Sequence, residues 1–95
     1  MFNRDRRYKN KFGYCYYIFH TPTFEVYIFN LYVYPKYRRK GNARKILQNV
    51  INAIRKKGYK GIIKIEAIPR ENSIDFYDLV SFYESLDLHV INMEI

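Results

Sequence analysis

Apolar residues recur along this chain with two different periods. From Ala43 they stand at Ala43, Ile46, Leu47, Val50, Ile51 and Ile54, the i, i+3, i+4, i+7 spacing of one helical face. Arg44, Lys45, Gln48, Asn49, Asn52, Arg55 and Lys56 fall off that stripe and are expected to face solvent. Lys56 and Lys57 put cations at the negative end of the helix dipole, and Gly58 can take the left-handed conformation, so the helix is predicted to stop there. A second stripe, Phe76, Leu79, Val80, Tyr83 and Leu86, predicts another helix. Asn72 or Ser73 can cap it, with Asp75 and Asp78 early in it, where negative charge is favoured.

The other apolar segments are dense in aromatic and β-branched residues and read as strands: residues 14–20, 24–34, 62–68 and, with looser alternation, 88–95. Thr21-Pro22-Thr23 supplies a short turn that pairs the first two antiparallel. Pro35 and Pro69 close the second and third strands, because proline cannot donate to a ladder. The long helix between those two strands implies a parallel crossover. The predicted order is β-β-α-β-α-β, a compact α/β mixed sheet with helices packed on it. Residues 1–11, with Arg4, Arg6, Arg7, Lys9 and Lys11, read as a flexible basic arm, and residues 12–95 as one domain.

Composition narrows the function classes. With 48% hydrophobic residues the chain folds rather than staying disordered. The one cysteine, Cys15, forms no intramolecular disulfide, and no Cys/His cluster has metal-ligand spacing. The first residues are basic where a signal peptide needs an apolar run, and no apolar stretch approaches membrane-spanning length, so a cytoplasmic protein is expected. The net charge of +8 is divided unevenly. Residues 1–65 hold sixteen Lys and Arg against two acids, a net of +14, whereas residues 66–95 hold Arg70 against seven acids, a net of −6. Such a molecule can gather an anion on one side and a cation on the other.

The anion has an evident place. Tyr37-Arg38-Arg39-Lys40-Gly41-Asn42-Ala43 joins an aromatic strand to the first helix. First-turn amides lack intrahelical partners, the dipole adds partial positive charge, and Arg38, Arg39 and Lys40 add full charges. A solvated charge run is the plain alternative; the position between strand and helix argues for the anion site.

With that strand before it and an amphipathic helix after it, this turn resembles the acetyl-CoA-binding motif of Gcn5-related N-acetyltransferases. The family pattern is Arg or Gln, two residues, Gly, one residue, then Gly or Ala; Arg38, Gly41 and Ala43 match it. Downstream, Phe82-Tyr83 resembles the family's aromatic-Tyr landmark near the end of the next helix. The likeness covers roughly residues 24–90. It implies that acetyl-CoA is held with its pyrophosphate on the amides of Arg38, Arg39, Lys40, Gly41, Asn42 and Ala43. It also implies a bulged second strand that splays from the third, leaving main-chain groups of Leu31, Tyr32 and Val33 for the pantetheine arm and the oxyanion. Tyr83 then falls where the family's general acid protonates the departing thiolate. As a residue of the helical stripe it reads equally as a core aromatic. Glu25 is the carboxylate candidate for general base, although register favours Tyr27 on the same face, and solvent is the other proton acceptor.

Three departures qualify the likeness. Arg39 stands where many members have Gly, which requires a negative φ at that residue. Asp87-Leu88 replaces the usual Gly-aromatic pair, and the helices that normally precede the sheet are missing. In this the chain resembles the very short phage-type members, among them the anti-CRISPR acetyltransferase, through Pro69, Ser73-Ile74, Asp78-Leu79 and Phe82-Tyr83. An open acceptor site implies a macromolecular amine, such as a lysine of a host or phage-defence protein, with Asp75 and Asp78 attracting its charge. The partner expected is therefore a protein, with no membrane, nucleic acid not favoured, and a homodimer left open. Two other readings compete: a catalytically silent acetyltransferase scaffold, and an RNA-binding module built on the aromatic run of residues 13–19 beside the basic arm.

Overall fold

The computed structural model describes residues 3–20, 25–67 and 75–91. Its five strands lie in one sheet in chain order: β1 (Asn3–Asn10), β2 (Gly13–His20), β3 (Glu25–Val33), β4 (Ile63–Glu66) and β5 (His89–Ile91). The first three pair antiparallel, and β4 and β5 follow in parallel. The parallel connections are made by α1 (Asn42–Lys56) and α2 (Phe76–Glu84). Both crossovers step in the same direction across the sheet, so right-handedness puts both helices on one face. That face buries Val26 and Ile28 of β3 and Ile63 and Ile65 of β4 against Ile46, Leu47, Val50 and Ile54 of α1. The mixed α/β architecture expected from the sequence is thus observed.

The predicted order needs one correction. Residues 3–10, expected as a flexible arm, form β1 and pair with β2 along their whole length, so the order is β-β-β-α-β-α-β. Polar residues dominate β1, which hid the strand from a hydrophobic reading. Tyr8 supplies its anchor: the side chain packs against the core, and its hydroxyl accepts from Asn49 Nδ2 of α1 at 2.8 Å. Asn10 Oδ1 closes the hairpin by accepting from the N–H groups of Phe12 (2.8 Å) and Gly13 (3.2 Å).

The helix ends follow the local chemistry. α1 starts at Asn42 behind Gly41 and closes at Gly58, whose φ is 99°. α2 is capped by Asp75, whose side chain accepts from the N–H groups of Tyr77 (3.0 Å) and Asp78 (3.1 Å). The caps predicted at Asn72 and Ser73 lie outside the described residues, as do the turn at residues 21–23 and Pro69. At its far end, Asp87 takes φ 62°, with the Asp87 N–H bonded to Glu84 O (3.0 Å) and the Leu88 N–H to Tyr83 O (3.3 Å). This is a Schellman closure with Asp in the position usually held by Gly, and it delivers buried Leu88 to the core. Among the described residues no helix is long and apolar enough to cross a membrane.

Candidate functional site

The site begins with a defect in β3. Tyr16 pairs with Phe29, but Tyr14 pairs with Tyr32, so Asn30 and Leu31 together oppose Cys15. This is a β-bulge, and Asn30 takes φ 54°, a left-handed conformation that Asn tolerates better than most residues. On its other edge, β3 pairs with β4 only from Val26–Ile63 to Ile28–Ile65. β4 continues to Glu66, which pairs with Ile91 of β5. Leu31, Tyr32 and Val33 lie past the last β3–β4 pair among the described residues, and Tyr32 and Val33 are held to β2 through Tyr14 and Gly13. A bulged strand end of this kind can offer main-chain groups to an extended ligand arm.

The turn after β3 is shaped around this edge. Pro35–Tyr37 forms a 3-10 turn, and Arg38 follows in extended conformation. Arg38 Nε donates to Val33 O at 2.7 Å, and its guanidinium lies 5.1 Å from the Tyr32 ring centroid. The Arg38 N–H is also used, bonding Pro35 O at 3.3 Å. Arg38 thus ties the turn to the end of β3 rather than reaching outward with its main-chain donor, which narrows the amide set expected from the sequence. Arg39 has φ 63°, where a negative value was expected, so a non-glycine residue accepts the left-handed conformation at this point. Gly41 follows at φ 80° as the N-cap of α1, with nothing within 4 Å of the place a Cβ would occupy.

No side chain caps α1, and its first turn carries no acid. The first intrahelical bond runs from the Lys45 N–H to Gly41 O at 3.2 Å, leaving the earlier amides without helical acceptors. Asn42 turns its side chain inward, 6% exposed, and donates from Nδ2 to Tyr37 O at 2.9 Å. It fixes the turn, so only its main chain can serve a ligand. Arg39, Lys40 and Gly41 are exposed. An uncapped helix start, a glycine without neighbours and two exposed cations together fit a polyphosphate group.

α2 comes to the same region. The Arg44 guanidinium in the first turn of α1 lies 5.2 Å from the Phe82 ring centroid. Adjacent Tyr83 is 4% exposed and shares the core with Val33 and Leu88, with Leu31 packed against that cluster. The landmark predicted on α2 is thus brought to the start of α1 through Phe82, and both readings of Tyr83, core aromatic and reactive phenol, are compatible with its burial.

Glu25 is placed elsewhere. It begins β3, six residues before Leu31, or about 20 Å along an extended strand. Its carboxylate accepts from Tyr27 Oη at 2.5 Å and pairs with Lys64 Nζ at 3.0 Å. The hydrogen bond to Glu25 is the main cause raising both the Tyr27 phenol and the Lys64 ammonium above their ordinary pKa values. Glu25 is thus occupied by Tyr27 and Lys64 and lies far along β3 from the bulge and the turn. The sequence reading missed Asn30, Gly13 and Arg44. Asn30 had a signal, being the lone polar residue between Phe29 and Leu31; the other two depend on neighbours from distant elements.

The family model described as acetyltransferase (GNAT) family matches residues 7–82. The match enters within β1, spans the bulge, the turn and the first crossover, and ends within α2, one residue before Tyr83. Comparison with curated proteins returned no match.

Proposed function

Because this chain belongs to the acetyltransferase (GNAT) family, we propose that it is an acetyl-CoA-dependent N-acetyltransferase acting on a lysine amine of a protein. The observation that carries the proposal is the uncapped and cation-flanked start of α1, set directly after the bulged β3 and with Arg44 of its first turn against Phe82 of α2. Acetyl-CoA supplies an acetyl group already activated as a thioester. The amides at the start of α1, with Arg39 and Lys40, hold the pyrophosphate end. Main-chain groups at Leu31, Tyr32 and Val33 hold the arm and offer an N–H to the carbonyl oxygen as it gains negative charge.

Tyr83 Oη keeps a proton for the sulfur that departs, and burial shields it from water. The amine sheds its own proton to solvent, since Glu25 is both distant and paired. Asp75 and Asp78, exposed at the start of α2, favour a cationic acceptor such as a lysine of a protein. The likeness to the short phage-type members points to a host or phage-defence protein as that acceptor, in the cytoplasm.

The experiment is acetyl transfer from labelled acetyl-CoA to co-expressed proteins, read by mass spectrometry for acetyl-lysine. Tyr83→Phe is expected to lower turnover on the order of 10²-fold while acetyl-CoA still binds. Unchanged turnover would return Tyr83 to a purely packing role, and acetyl-CoA binding without any turnover in the wild type would favour the silent scaffold.

A further inference from the structure

Among the described residues both helices lie on the face of the sheet that carries Val26, Ile28, Ile63 and Ile65. The opposite face carries an array of rings. Tyr16 of β2 stacks on Phe29 of β3, with centroids 5.8 Å apart and planes 30° from parallel. Past the bulge, Tyr14 lies 5.5 Å from Tyr32, and Tyr32 lies 5.9 Å from Tyr34. Tyr14 and Tyr16 join the two halves at 5.8 Å. The bulge keeps the array continuous, because it restores to this face the alternation that would otherwise place Tyr32 in the core.

Cations flank the rings. Arg7 sits opposite Tyr16 and Lys9 opposite Tyr14, and both are exposed. They share the face of the rings, because Tyr8 between them reaches through to α1. Glu25 and Glu66 stand on β3 and β4, separated from β1 by at least one strand, and Glu25 is neutralised by Lys64; on β1 itself Asp5 precedes Arg7 by two residues. The exposed Arg7 and Lys9 give this part of the face positive charge that an anionic partner complements. Flat π-faces beside cations, in a segment of net charge +14, suit bases and phosphates. The four phenol hydroxyls of Tyr14, Tyr16, Tyr32 and Tyr34 add partners for ribose 2′-OH groups.

We propose that this face binds single-stranded RNA, with bases stacked on Tyr14, Tyr16 and Phe29 and with phosphates on Arg7 and Lys9. The inference does not depend on acetyl transfer, since it concerns this face and not the start of α1. It is tested with the full chain and no acetyl-CoA, by fluorescence anisotropy of a labelled single-stranded RNA of roughly twelve nucleotides, a length within the range such platforms cover. The single strand should bind about tenfold more tightly than the same RNA as a duplex, and more tightly than DNA of the same sequence.

Tyr16→Leu, which keeps apolar cover but removes the ring, should weaken binding about tenfold, whereas Tyr16→Phe should stay within about twofold. Arg7→Ser, at an exposed position, should flatten the slope of log K against log salt by about 0.7. Absence of binding, equal affinity for duplex or for DNA, or binding untouched by Tyr16→Leu would each overturn the proposal. So would sedimentation showing a dimer that Tyr16→Leu dissociates, which would give the face to a second copy instead.

Discussion

Gly13 has no room for a side chain. A Cβ there would stand 2.1 Å from Tyr32 O and 2.9 Å from Val33 Cα, both main-chain atoms that cannot rotate away. Gly13→Ala is therefore expected to cost about 1–3 kcal/mol in urea unfolding. It should also weaken acetyl-CoA binding by displacing the strand edge at residues 31–33. Nothing near Gly13 in the chain announces this, because the constraint comes from a residue on the next strand. Cys15 carries a different kind of information. It is buried on the helix-covered face, and burial pushes its thiol from an ordinary 9.0 up to about 12. The folded protein thus holds the neutral thiol, whose stabilising effect is complete below pH 9 and is lost as pH rises toward 12. Ellman's reagent at pH 8 should leave the folded protein unmodified. Between pH 9 and 11 the wild type should lose more stability than Cys15→Ala does.

At the scale of elements, legibility depended on whether an element's own side chains carry its signal. α1 announced itself because its apolar stripe faces the core along its full length, and the observed start differs from the predicted one by a single residue. β1 did not, since its alternation sets Arg6 and Tyr8 against Arg7 and Lys9, and it is Tyr8 whose hydroxyl meets Asn49 of α1. The bulge in β3 was expected from family likeness alone, though Asn30 marks it in the residues themselves. The turn before α1 was recognisable by composition, yet its backbone was not: Arg39 adopts the left-handed conformation that the residue type argues against. That conformation costs a non-glycine residue roughly 1–2 kcal/mol, part of which glycine gives back through its freedom in the unfolded chain. Arg39→Gly should accordingly stabilise the protein by up to about 1 kcal/mol, measured as a higher Tm, while lowering affinity for acetyl-CoA through loss of one cation. A fall in Tm would mean that the Arg39 side chain holds the turn more strongly than its backbone strains it.

Across the whole molecule, charge and topology act on the same end of the sheet. The basic segment supplies α1 and the turn, the acidic segment supplies α2, and the parallel crossovers set the two side by side, with Arg44 against Phe82 as the contact. The charge division was legible from residue counts, but where it meets required the strand order. The cations divide into two kinds. Arg38 is spent on Val33 O and the Tyr32 ring, whereas Lys40 stands exposed. Exposed charges are screened by salt and engaged ones much less. Acetyl-CoA at 100 times its Kd should stabilise the fold by roughly 2.7 kcal/mol at low ionic strength. Raising salt from about 0.01 M to 0.15 M shortens the screening length from roughly 30 Å to 8 Å, so the thermal shift at fixed acetyl-CoA should shrink. Lys40→Gln should reduce both the shift and its salt sensitivity without lowering the Tm of the free protein. Arg38→Gln should instead lower that Tm, because the bond it removes belongs to the fold. If the two variants behaved alike, the separation of a ligand-facing cation from a turn-fixing one would be lost, and the anion would have to be held by the main chain of α1 alone.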